Sequence, residues 1–244
     1  MKVYLNCDMG ESFGIYNIGN DEKIIPHIDM ANLACGFHAS DSLNINKSVK
    51  LVASNNKIIG AHPSYQDLVG FGRRSMICSY EEIYSLVLYQ IGALSAFCKV
   101  HNTKVSYVKP HGALYNDMMK DENIFKAILD AISSYDKKIK LMVLSSSKNE
   151  SYKNIASIFN IDLIFELFAD RNYTDEGFLV SRNEKNSVIH DNTEVKNRLD
   201  TYKNDGYILS ESGKKLYLEV DTICIHGDNE NALDFAKLIK SSIA

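Results

Sequence analysis

The first group of residues suited to chemistry lies near the start of the chain, in NCDMGE (6–11). It provides an amide and two carboxylates, Asn6, Asp8 and Glu11, around Gly10, which permits a sharp turn. Asp8 could bind a metal ion or act as a base whose pKa its neighbours set. It could equally cap a turn or a helix, and the local sequence leaves both interpretations open. Asn6 and Glu11 are candidates for binding substrate or phosphate.

Two histidines follow the next apolar segments, His38 in ACGFHASD (34–41) and His62 in GAHPSYQD (60–67). An imidazole has an unperturbed pKa of about 6.5, which suits both metal binding and proton transfer. A single histidine beside an apolar segment is more often structural, and this is the simpler interpretation of His38. With Asp8, the two histidines are the candidate ligands of a divalent metal.

Paired arginines, Arg73 and Arg74, follow a loop that contains Gly70 and Gly72. A guanidinium can hold a carboxylate or a phosphate through two parallel hydrogen bonds. Paired arginines at a surface are usually only solvated charges. Because they follow His62 so closely, the sequence gives equal weight to a substrate-binding role for at least one of them.

The densest group is VKPHGALYN (108–116), where a predicted strand ends. Lys109 could stabilise a developing oxyanion or a phosphate, and His111 could transfer a proton. Tyr115 and Asn116 are candidates for substrate binding. So many functional side chains in nine residues indicate more than packing.

Two later segments, FADRNY (168–173) and CIHGD (224–228), again place an acid near a base at a strand end. Asp170 is a candidate catalytic residue. Candidates for substrate or phosphate binding are Arg171, His226 and Asp228. The simpler alternatives are a surface ion pair for Asp170 and Arg171 and a core position for His226.

The elements that must position these residues follow a β/α rhythm, which is typical of a parallel sheet. The predicted strands are Val3–Cys7, Met30–Cys35, Ile58–Ala61, Val105–Val108, Lys140–Leu144, Leu163–Phe168 and Thr222–Ile225. The predicted helices are Tyr80–His101, with a capping box of Ser79 and Glu82, Asp121–Tyr135 and Asn229–Ser241, and Asp41 is expected to cap a helix. Ligands bind at the carboxyl ends of parallel strands, so the polar groups are expected to form one site. About seven units favour a barrel over an open sheet, without excluding the latter.

The whole chain, 1–244, is predicted to be a single β/α barrel domain. One polar stretch, about 182–215, interrupts the β/α rhythm. We expect a short helix near Thr193–Tyr202 and then a hairpin, as an excursion on the surface.

The composition excludes several classes of protein. The 244 residues are 45% apolar and carry a formal charge of −4, which argues against nucleic acid or an anionic membrane as a partner. No signal peptide and no apolar run of about 20 residues is evident, so the expected location is cytoplasmic. The five cysteines form no CxxC pair and are expected to be free, with Cys7, Cys35 and Cys224 as small buried side chains.

Familiar catalytic signatures do not occur. The chain has no GxxxxGK[ST] phosphate loop, no dinucleotide fingerprint, no GxSxG and no HExxH. If the protein uses ATP, the sequence contains no familiar site for it.

The groups described above, taken in order, resemble the LamB/YcsF family. The matching segments are LNCDMGESFG (5–14), ANLACGFHASD (31–41), IGAHPSYQDLVGFGRR (59–74), YQIGAL (89–94), VKPHGALYN (108–116), FADRNY (168–173) and CIHGD (224–228). Seven ordered segments over nearly the whole chain are a specific resemblance. Ser40 and Ser64 stand where the family usually has glycine, and Gln66 stands where proline is usual.

The resemblance implies a barrel related to the polysaccharide-deacetylase type. It also implies ATP-coupled hydrolysis of 5-oxoproline to glutamate, together with two further 5-oxoprolinase subunits of B and C type. Lys109 with Arg73 or Arg74 would then hold anionic groups. Proton transfers, or a divalent metal that activates water, would fall to Asp8, His38, His62 and His111.

Two other functions compete with this one. The chain could be a stand-alone, metal-dependent amidohydrolase or deacetylase, which would need no ATP. It could also be a non-catalytic subunit that only binds a lactam. Fold analogy alone is a weak argument for either, and ATP dependence discriminates between the enzymes.

Overall fold

The computed structural model describes residues 3–181, 184–189, 191–226 and 232–243. Seven parallel strands within them are β1 (Tyr4–Met9), β2 (Met30–Ala34), β3 (Ile58–His62), β4 (Val105–Val108), β5 (Lys140–Leu144), β6 (Leu163–Phe168) and β9 (Thr222–His226). They pair in the order β1-β2-β3-β4-β5-β6-β9 and close into a barrel. Each predicted strand is present with its ends within two residues, so the predicted β/α barrel is confirmed.

The pairing register brings the predicted chemistry to one end of the barrel. Asp8 on β1 lies opposite Asn32 on β2 and opposite His226 on β9. His62, the last residue of β3, lies opposite Ala34 on β2. Because every strand of the barrel is parallel, these residues share the end at which ligands bind in such folds.

Helices connect the strands and cover the outside of the barrel. They are α1 (Asp21–Ile24), α2 (Ser42–Ser54), α3 (Tyr80–Val100), α4 (Gly112–Met118), α5 (Glu122–Tyr135), α6 (Asn149–Ile158), α7 (Asn192–Asp205) and α8 (Ala232–Ile243). Asp41 caps α2, because its carboxylate accepts a hydrogen bond from Asn44 N. The capping box of Ser79 and Glu82 at the start of α3 is also present.

The longest helix, α3, packs its apolar stripe into the protein. Ile83, Val87, Ile91 and Leu94 are buried, and α3 packs against α5. By length and composition α3 could also cross a membrane, with a third of its apolar window (33%) buried inside the protein. A stripe of buried residues at helical spacing is typical of a helix that packs onto a core.

The barrel interior contains polar side chains. Asn6 and Asn32 are completely buried there, beside Tyr107 on β4. Gly60 on β3 provides the room for this ring, because a Cβ at Gly60 would lie 2.2 Å from Tyr107 carbons. A buried amide is stable only when it is hydrogen-bonded, so these residues are expected to belong to a network.

The polar excursion forms a helix and a hairpin, as the sequence predicts. Helix α7 ends at Asp205, and Gly206 caps it with a φ of 77°, the left-handed turn that terminates many helices. Two short strands, β7 (Tyr207–Leu209) and β8 (Lys215–Tyr217), then pair antiparallel before β9. Residues 182, 183 and 190 lie outside the part of the chain that the structure describes.

Candidate active site

A cavity of about 440 Å³ opens at the carboxyl ends of the barrel strands. The predicted site residues that line it are Asp8, His62, Arg73, Lys109, His111, Tyr115, Asn116 and Arg171. A larger depression, about 590 Å³, lies at the opposite end, where β5 and β6 begin, and the exposed pair Lys153 and Glu219 lies on it. We assign the chemistry to the smaller cavity, because buried acids and bases meet there.

Lys109, the residue after β4, lies between two carboxylates. Its Nζ is 2.9 Å from Asp8 Oδ1 and 2.8 Å from Glu166 Oε1, and the residue is only 2% exposed. Burial alone would lower the pKa of this ammonium, but the negative charges of Asp8 and Glu166 outweigh burial and raise the pKa well above 10.5. Lys109 is therefore a fixed positive charge at the base of the cavity.

A chain of amides fixes the orientation of Asp8. Asn32 Nδ2 donates to Asp8 Oδ1 and to Asn6 Oδ1, at 2.7 Å in both cases. Tyr107 donates its hydroxyl proton to Asn32 Oδ1 at 2.5 Å, and Asn6 Nδ2 donates to Thr222 Oγ1 at 3.0 Å. Both amides thus form hydrogen bonds through nitrogen and through oxygen, which fixes the position of the carboxylate. Asn6 therefore supports Asp8 from below and does not line the cavity.

Glu166 on β6 contacts two predicted site residues but was not itself predicted from the sequence. It is completely buried, its Oε1 contacts Lys109, and its Oε2 accepts a hydrogen bond from Tyr115 OH at 2.9 Å. The signal in the sequence was a single acid within an apolar strand, LIFELF. Such a residue is expected to be paired, because an unpaired buried charge costs several kcal/mol.

Cys224 on β9 belongs to the same group. Cys7, Cys35 and Cys224 are all buried free thiols, as predicted. Cys224 is nevertheless not simply a small apolar side chain, because its Sγ lies 3.1 Å from Lys109 Nζ and accepts from it. Burial raises the pKa of this thiol well above its usual value, so Cys224 is a neutral contact of the lysine.

His62 and His111 face each other across the cavity base. His62 Nδ1 lies 2.6 Å from the carbonyl oxygen of Lys109, and His111 Nε2 lies 2.9 Å from that of Phe71. A carbonyl only accepts hydrogen bonds, so these two ring nitrogens carry the protons. The other two nitrogens, His62 Nε2 and His111 Nδ1, are 2.9 Å apart. Asp8 Oδ2 lies 3.5 Å from His62 Nε2.

Glu11 and His38 complete this group of donor atoms. The His38 ring stacks on that of His111, with centroids 3.7 Å apart, and its Nε2 lies 3.4 Å from Glu11 Oε1. One donor atom from each of Glu11, His38, His62 and His111 lies within 4.8 Å of the others, and all four residues are buried. Burial and the neighbouring histidines hold the pKa of His38 well below its usual value, and burial does the same for His111. This cluster could hold a metal ion.

Gly72 allows the histidines to pack so closely. Its φ is 64°, and a Cβ there would lie 2.8 Å from His38 Cβ and from His111 Cδ2. Its carbonyl accepts a hydrogen bond from Ala113 N at 2.8 Å, which ties this loop to the start of α4. The loop after β3 therefore closes over the cluster.

The two predicted arginines have different positions. Arg73 lines the cavity, with its guanidinium 5.0 Å from the centre of the Phe71 ring. Arg74 instead forms an ion pair with Asp67, which lowers the pKa of that carboxyl. Of the two, Arg73 is the one placed to meet a ligand. Lys120 adds a further cation at the cavity wall.

Asp170 and Arg171 lie after β6 and are both about 5% exposed. The alternative of a surface ion pair is therefore wrong. Arg171 donates to the carbonyls of Ser187 and Val180 and also lines the cavity. In the last segment, His226 is described by its backbone alone and Asp228 lies outside the described residues, so the roles of His226 and Asp228 stay predictions.

Comparison with curated proteins gives relatives over the full length. A Vibrio vulnificus protein named as the A subunit of 5-oxoprolinase is 49% identical over 243 residues, covering 100% of this chain and 98% of that protein. A Vibrio cholerae protein of the same name is 46% identical over 241 residues, covering 99% and 97%. A solved structure, the lactam utilization protein from Thermus thermophilus, superposes with a TM-score of 0.91 at 39% identity, covering 100% of this chain and 96% of that one.

A protein-family model also matches nearly the whole chain. The model described as LamB/YcsF family matches residues 3–244, a range that contains the barrel and the cavity. The match agrees with the resemblance found in the sequence motifs. This chain belongs to the LamB/YcsF family.

Proposed function

We propose that this chain is the A subunit of an ATP-dependent 5-oxoprolinase, which opens the lactam of 5-oxoproline to L-glutamate while ATP is hydrolysed to ADP and phosphate. The observation that carries the proposal is the buried group of Asp8, Lys109 and Glu166 at the base of the cavity, in a chain whose full-length relatives have this name. A cavity of about 440 Å³ lies within the usual size range of small-molecule sites.

The reaction requires activation, because a five-membered lactam is a poor electrophile. In the proposed sequence the lactam oxygen attacks the γ-phosphorus of ATP, and ADP leaves. Water then adds to the activated ring carbon, the C–N bond breaks, and the ring nitrogen takes up a proton to become the amine of glutamate. A second water releases phosphate. The protein must therefore take one proton from water and deliver another to nitrogen.

Acid and base groups for these transfers meet at the cavity base. Asp8 is the proposed base, because hydrogen bonds from Asn32 and Lys109 fix its position while it still lines the cavity. His62 and His111 line the same wall and have ring nitrogens directed toward each other. Asp8, once it has taken a proton from water, can deliver a proton to the ring nitrogen, while His62 and His111, whose N–H groups face backbone carbonyls, would orient the attacking water. Asp170 stays a further candidate.

Cationic side chains would hold the carboxylate of 5-oxoproline and the phosphoryl group. Arg73 and Arg171 line the cavity as guanidinium donors, and the Asn116 side chain lies on the same wall. Lys109 supplies a fixed positive charge below them. In this proposal, cationic side chains surround the opening of the cavity, where the carboxylate and the phosphoryl group bind. The groups that transfer protons lie at the bottom of the cavity.

ATP and the partner subunits are part of the same proposal. The relatives are named as one subunit of an enzyme, which supports a complex of more than one kind of chain. We assign the partners as two subunits of B and C type. The absence of a phosphate-loop motif from this sequence fits a division of labour in which the partners contribute to ATP binding.

The test measures 5-oxoproline-dependent release of ADP and glutamate, with this chain alone and after co-purification with its two candidate partners. Coupled release by the full complex only is the expected result. In that complex, His111→Asn should abolish turnover, whereas His101→Asn, at a histidine bonded to Asn46 outside the cavity, should not. ADP release without glutamate would contradict the proposal.

One observation favours a second candidate, a stand-alone metal-dependent amidohydrolase. The cluster of Glu11, His38, His62 and His111 has the donor types of a catalytic metal centre. Such an enzyme would open its amide without ATP. Release of glutamate or of another amide product by this chain alone, with no ATP present, would favour this candidate.

A further inference from the structure

The geometry of the histidine pair points to a bound cation. Two ring nitrogens, His62 Nε2 and His111 Nδ1, lie 2.9 Å apart, while the opposite nitrogen of each ring faces a backbone carbonyl. In the neutral form each ring has a single N–H, and here that N–H is directed to the carbonyl. Two lone pairs therefore face each other at hydrogen-bond distance, which is repulsive unless a positive charge lies between or beside them.

Backbone carbonyls behind both rings are a feature of metal-binding histidines. A histidine that binds a metal usually donates its other N–H to a carbonyl or carboxylate, which fixes the tautomer and aims the lone pair. The carbonyls of Lys109 and Phe71 do this for His62 and His111. The two carbonyls come from different loops, after β4 and after β3, so the arrangement does not follow from local chain geometry.

His38 supports the same conclusion independently. Its side chain is almost completely buried, and neither ring nitrogen has a hydrogen-bond partner among the residues that the structure describes. A buried imidazole without a partner loses the hydrogen bonds that it makes in water, at a cost of about 1–3 kcal/mol. A ligand on His38 Nε2, 3.4 Å from Glu11 Oε1, would remove the part of that cost that falls on Nε2.

Charge balance also favours a divalent cation. The carboxylates of Asp8, Glu11 and Glu166 lie around this end of the barrel, and Lys109 is the ammonium that contacts two of them. When the histidines are neutral, these three carboxylates outnumber Lys109 by two, and Arg73 on the cavity wall adds one positive charge near the cluster, so this end of the barrel keeps a net negative charge. Buried charge of one sign is unfavourable without a counter-charge, and a divalent ion supplies two units.

We infer that Glu11, His38, His62 and His111 form a site for a divalent transition-metal ion. The set differs from the one expected from the sequence, which was Asp8, His38 and His62. Lys109 and Asn32 hold Oδ1 of Asp8, and the carboxylate that groups with the three histidines is that of Glu11. Three imidazole nitrogens and one carboxylate oxygen suit Zn²⁺, Co²⁺, Fe²⁺ or Mn²⁺, whereas Mg²⁺ and Ca²⁺ prefer all-oxygen sites.

The distances are compatible with such an ion. Two nitrogens that each lie 2.0–2.1 Å from one tetrahedral zinc ion are about 3.3 Å apart. The observed separation of His62 and His111 is 2.9 Å, and all four donor atoms lie within 4.8 Å of one another. Small side-chain rotations are enough to bring them to one ion. His62 and His111 also line the cavity, so the ion would lie next to bound substrate.

Metal binding is tested without any assay of activity, so the result does not depend on the proposed function. The purified chain is stripped with a chelator and titrated with Co²⁺ and Zn²⁺, by calorimetry and by the visible absorption of Co²⁺. One equivalent per chain, with cobalt bands that Zn²⁺ abolishes, is expected. Affinity should fall as the pH is lowered, because protons compete for the histidines.

Ligand variants locate the site. Glu11→Gln, His38→Asn, His62→Asn and His111→Asn should each weaken binding at least tenfold, while His101→Asn should bind as the wild-type chain does. Circular dichroism checks that each variant is folded, and Glu11→Gln, which keeps the side-chain volume, tests the site if a histidine variant unfolds. A folded wild-type chain that binds neither ion, as expected if the two rings share a proton instead, would overturn the inference. So would equal affinity in all four variants.

Discussion

Lys109 Nζ lies 2.8 Å from Glu166 Oε1, and both side chains are almost completely buried. Asp8 approaches the same ammonium from the other side, at 2.9 Å. Removing one partner of a buried ion pair destabilises a protein more than replacing both partners with apolar residues. The single removal leaves an uncompensated charge in a medium of low polarity. These three residues therefore depend on one another for stability as well as for any reaction.

Substitution of Lys109 should unfold the chain readily. We expect Lys109→Met to lower the free energy of unfolding by about 3–5 kcal/mol at neutral pH, because two buried carboxylates lose their counter-charge. Urea denaturation measures this loss. Lys153→Met is the matched control, since Lys153 also contacts two carboxylates, Glu150 and Glu219, but at the exposed surface. A Lys109 variant as stable as the Lys153 variant would contradict the expectation.

Stability should respond to pH through Asp21. Burial raises the pKa of this carboxyl from 3.8 to about 6, although a hydrogen bond from Gly10 N opposes the shift. The folded chain thus binds the proton more tightly than the unfolded chain, so the charged form of Asp21 costs stability above about pH 6. That cost is relieved as the pH falls through about 6 toward 3.8.

Asp21→Asn removes this charge and keeps an oxygen for Gly10 N. We expect the variant to be more stable than the wild-type chain by about 1–2 kcal/mol at pH 8, with the advantage shrinking between pH 6 and pH 4. Thermal denaturation across this range measures the difference. Asp41→Asn should show the opposite sign, because hydrogen bonds from Asn44 N and Gly14 N lower the pKa of Asp41. An Asp21→Asn difference that does not vary with pH would contradict this explanation.

Much of the fold could be predicted from the sequence because each barrel strand is a short apolar run bounded by turns. The convergence of Asp8, His62, Lys109 and His111 followed from the rule that ligands bind at the carboxyl ends of parallel strands. Ser40, where the family usually has glycine, has a φ of 71°, in the left-handed region that glycine prefers. The serine at position 40, in place of the usual glycine, therefore stands where the backbone must adopt a left-handed conformation.

Contacts between distant strands could not be predicted in the same way. Glu166 and Cys224 are 58 positions apart in the chain, and they meet Lys109 only because β6 and β9 are neighbours in the closed barrel. The different positions of Arg73 and Arg74 likewise depend on packing, because Arg74 forms an ion pair with Asp67 while Arg73 lines the cavity. Periodicity identifies elements, whereas such pairings depend on how the elements pack.

The two arginines should affect substrate binding differently. Arg73→Gln should raise the KM for the anionic substrate of the complex roughly tenfold or more, since a charged hydrogen bond contributes about 1.5–3 kcal/mol. Arg74→Gln should leave the KM unchanged, because Arg74 forms its ion pair with Asp67 and is not among the residues that line the cavity. Steady-state kinetics of both variants in the full complex give the comparison. Equal effects of the two substitutions on the KM would contradict the assignment of substrate binding to Arg73.

Gly72 offers the sharpest test of the histidine cluster as a structural unit. In Gly72→Ala the new Cβ would lie 2.8 Å from both His38 and His111, a distance that real side chains do not tolerate, so the stacked rings must separate. We expect loss of turnover and at least tenfold weaker cobalt binding. Gly206→Ala is the control, because Gly206 also has a positive φ, 77°, but no atom of the described residues within 4 Å of an added Cβ. Both variants strain the backbone, and the Gly206 variant should lose only about 1 kcal/mol of stability. If the two variants bind cobalt equally well, the close packing of His38 against His111 is not what forms the site.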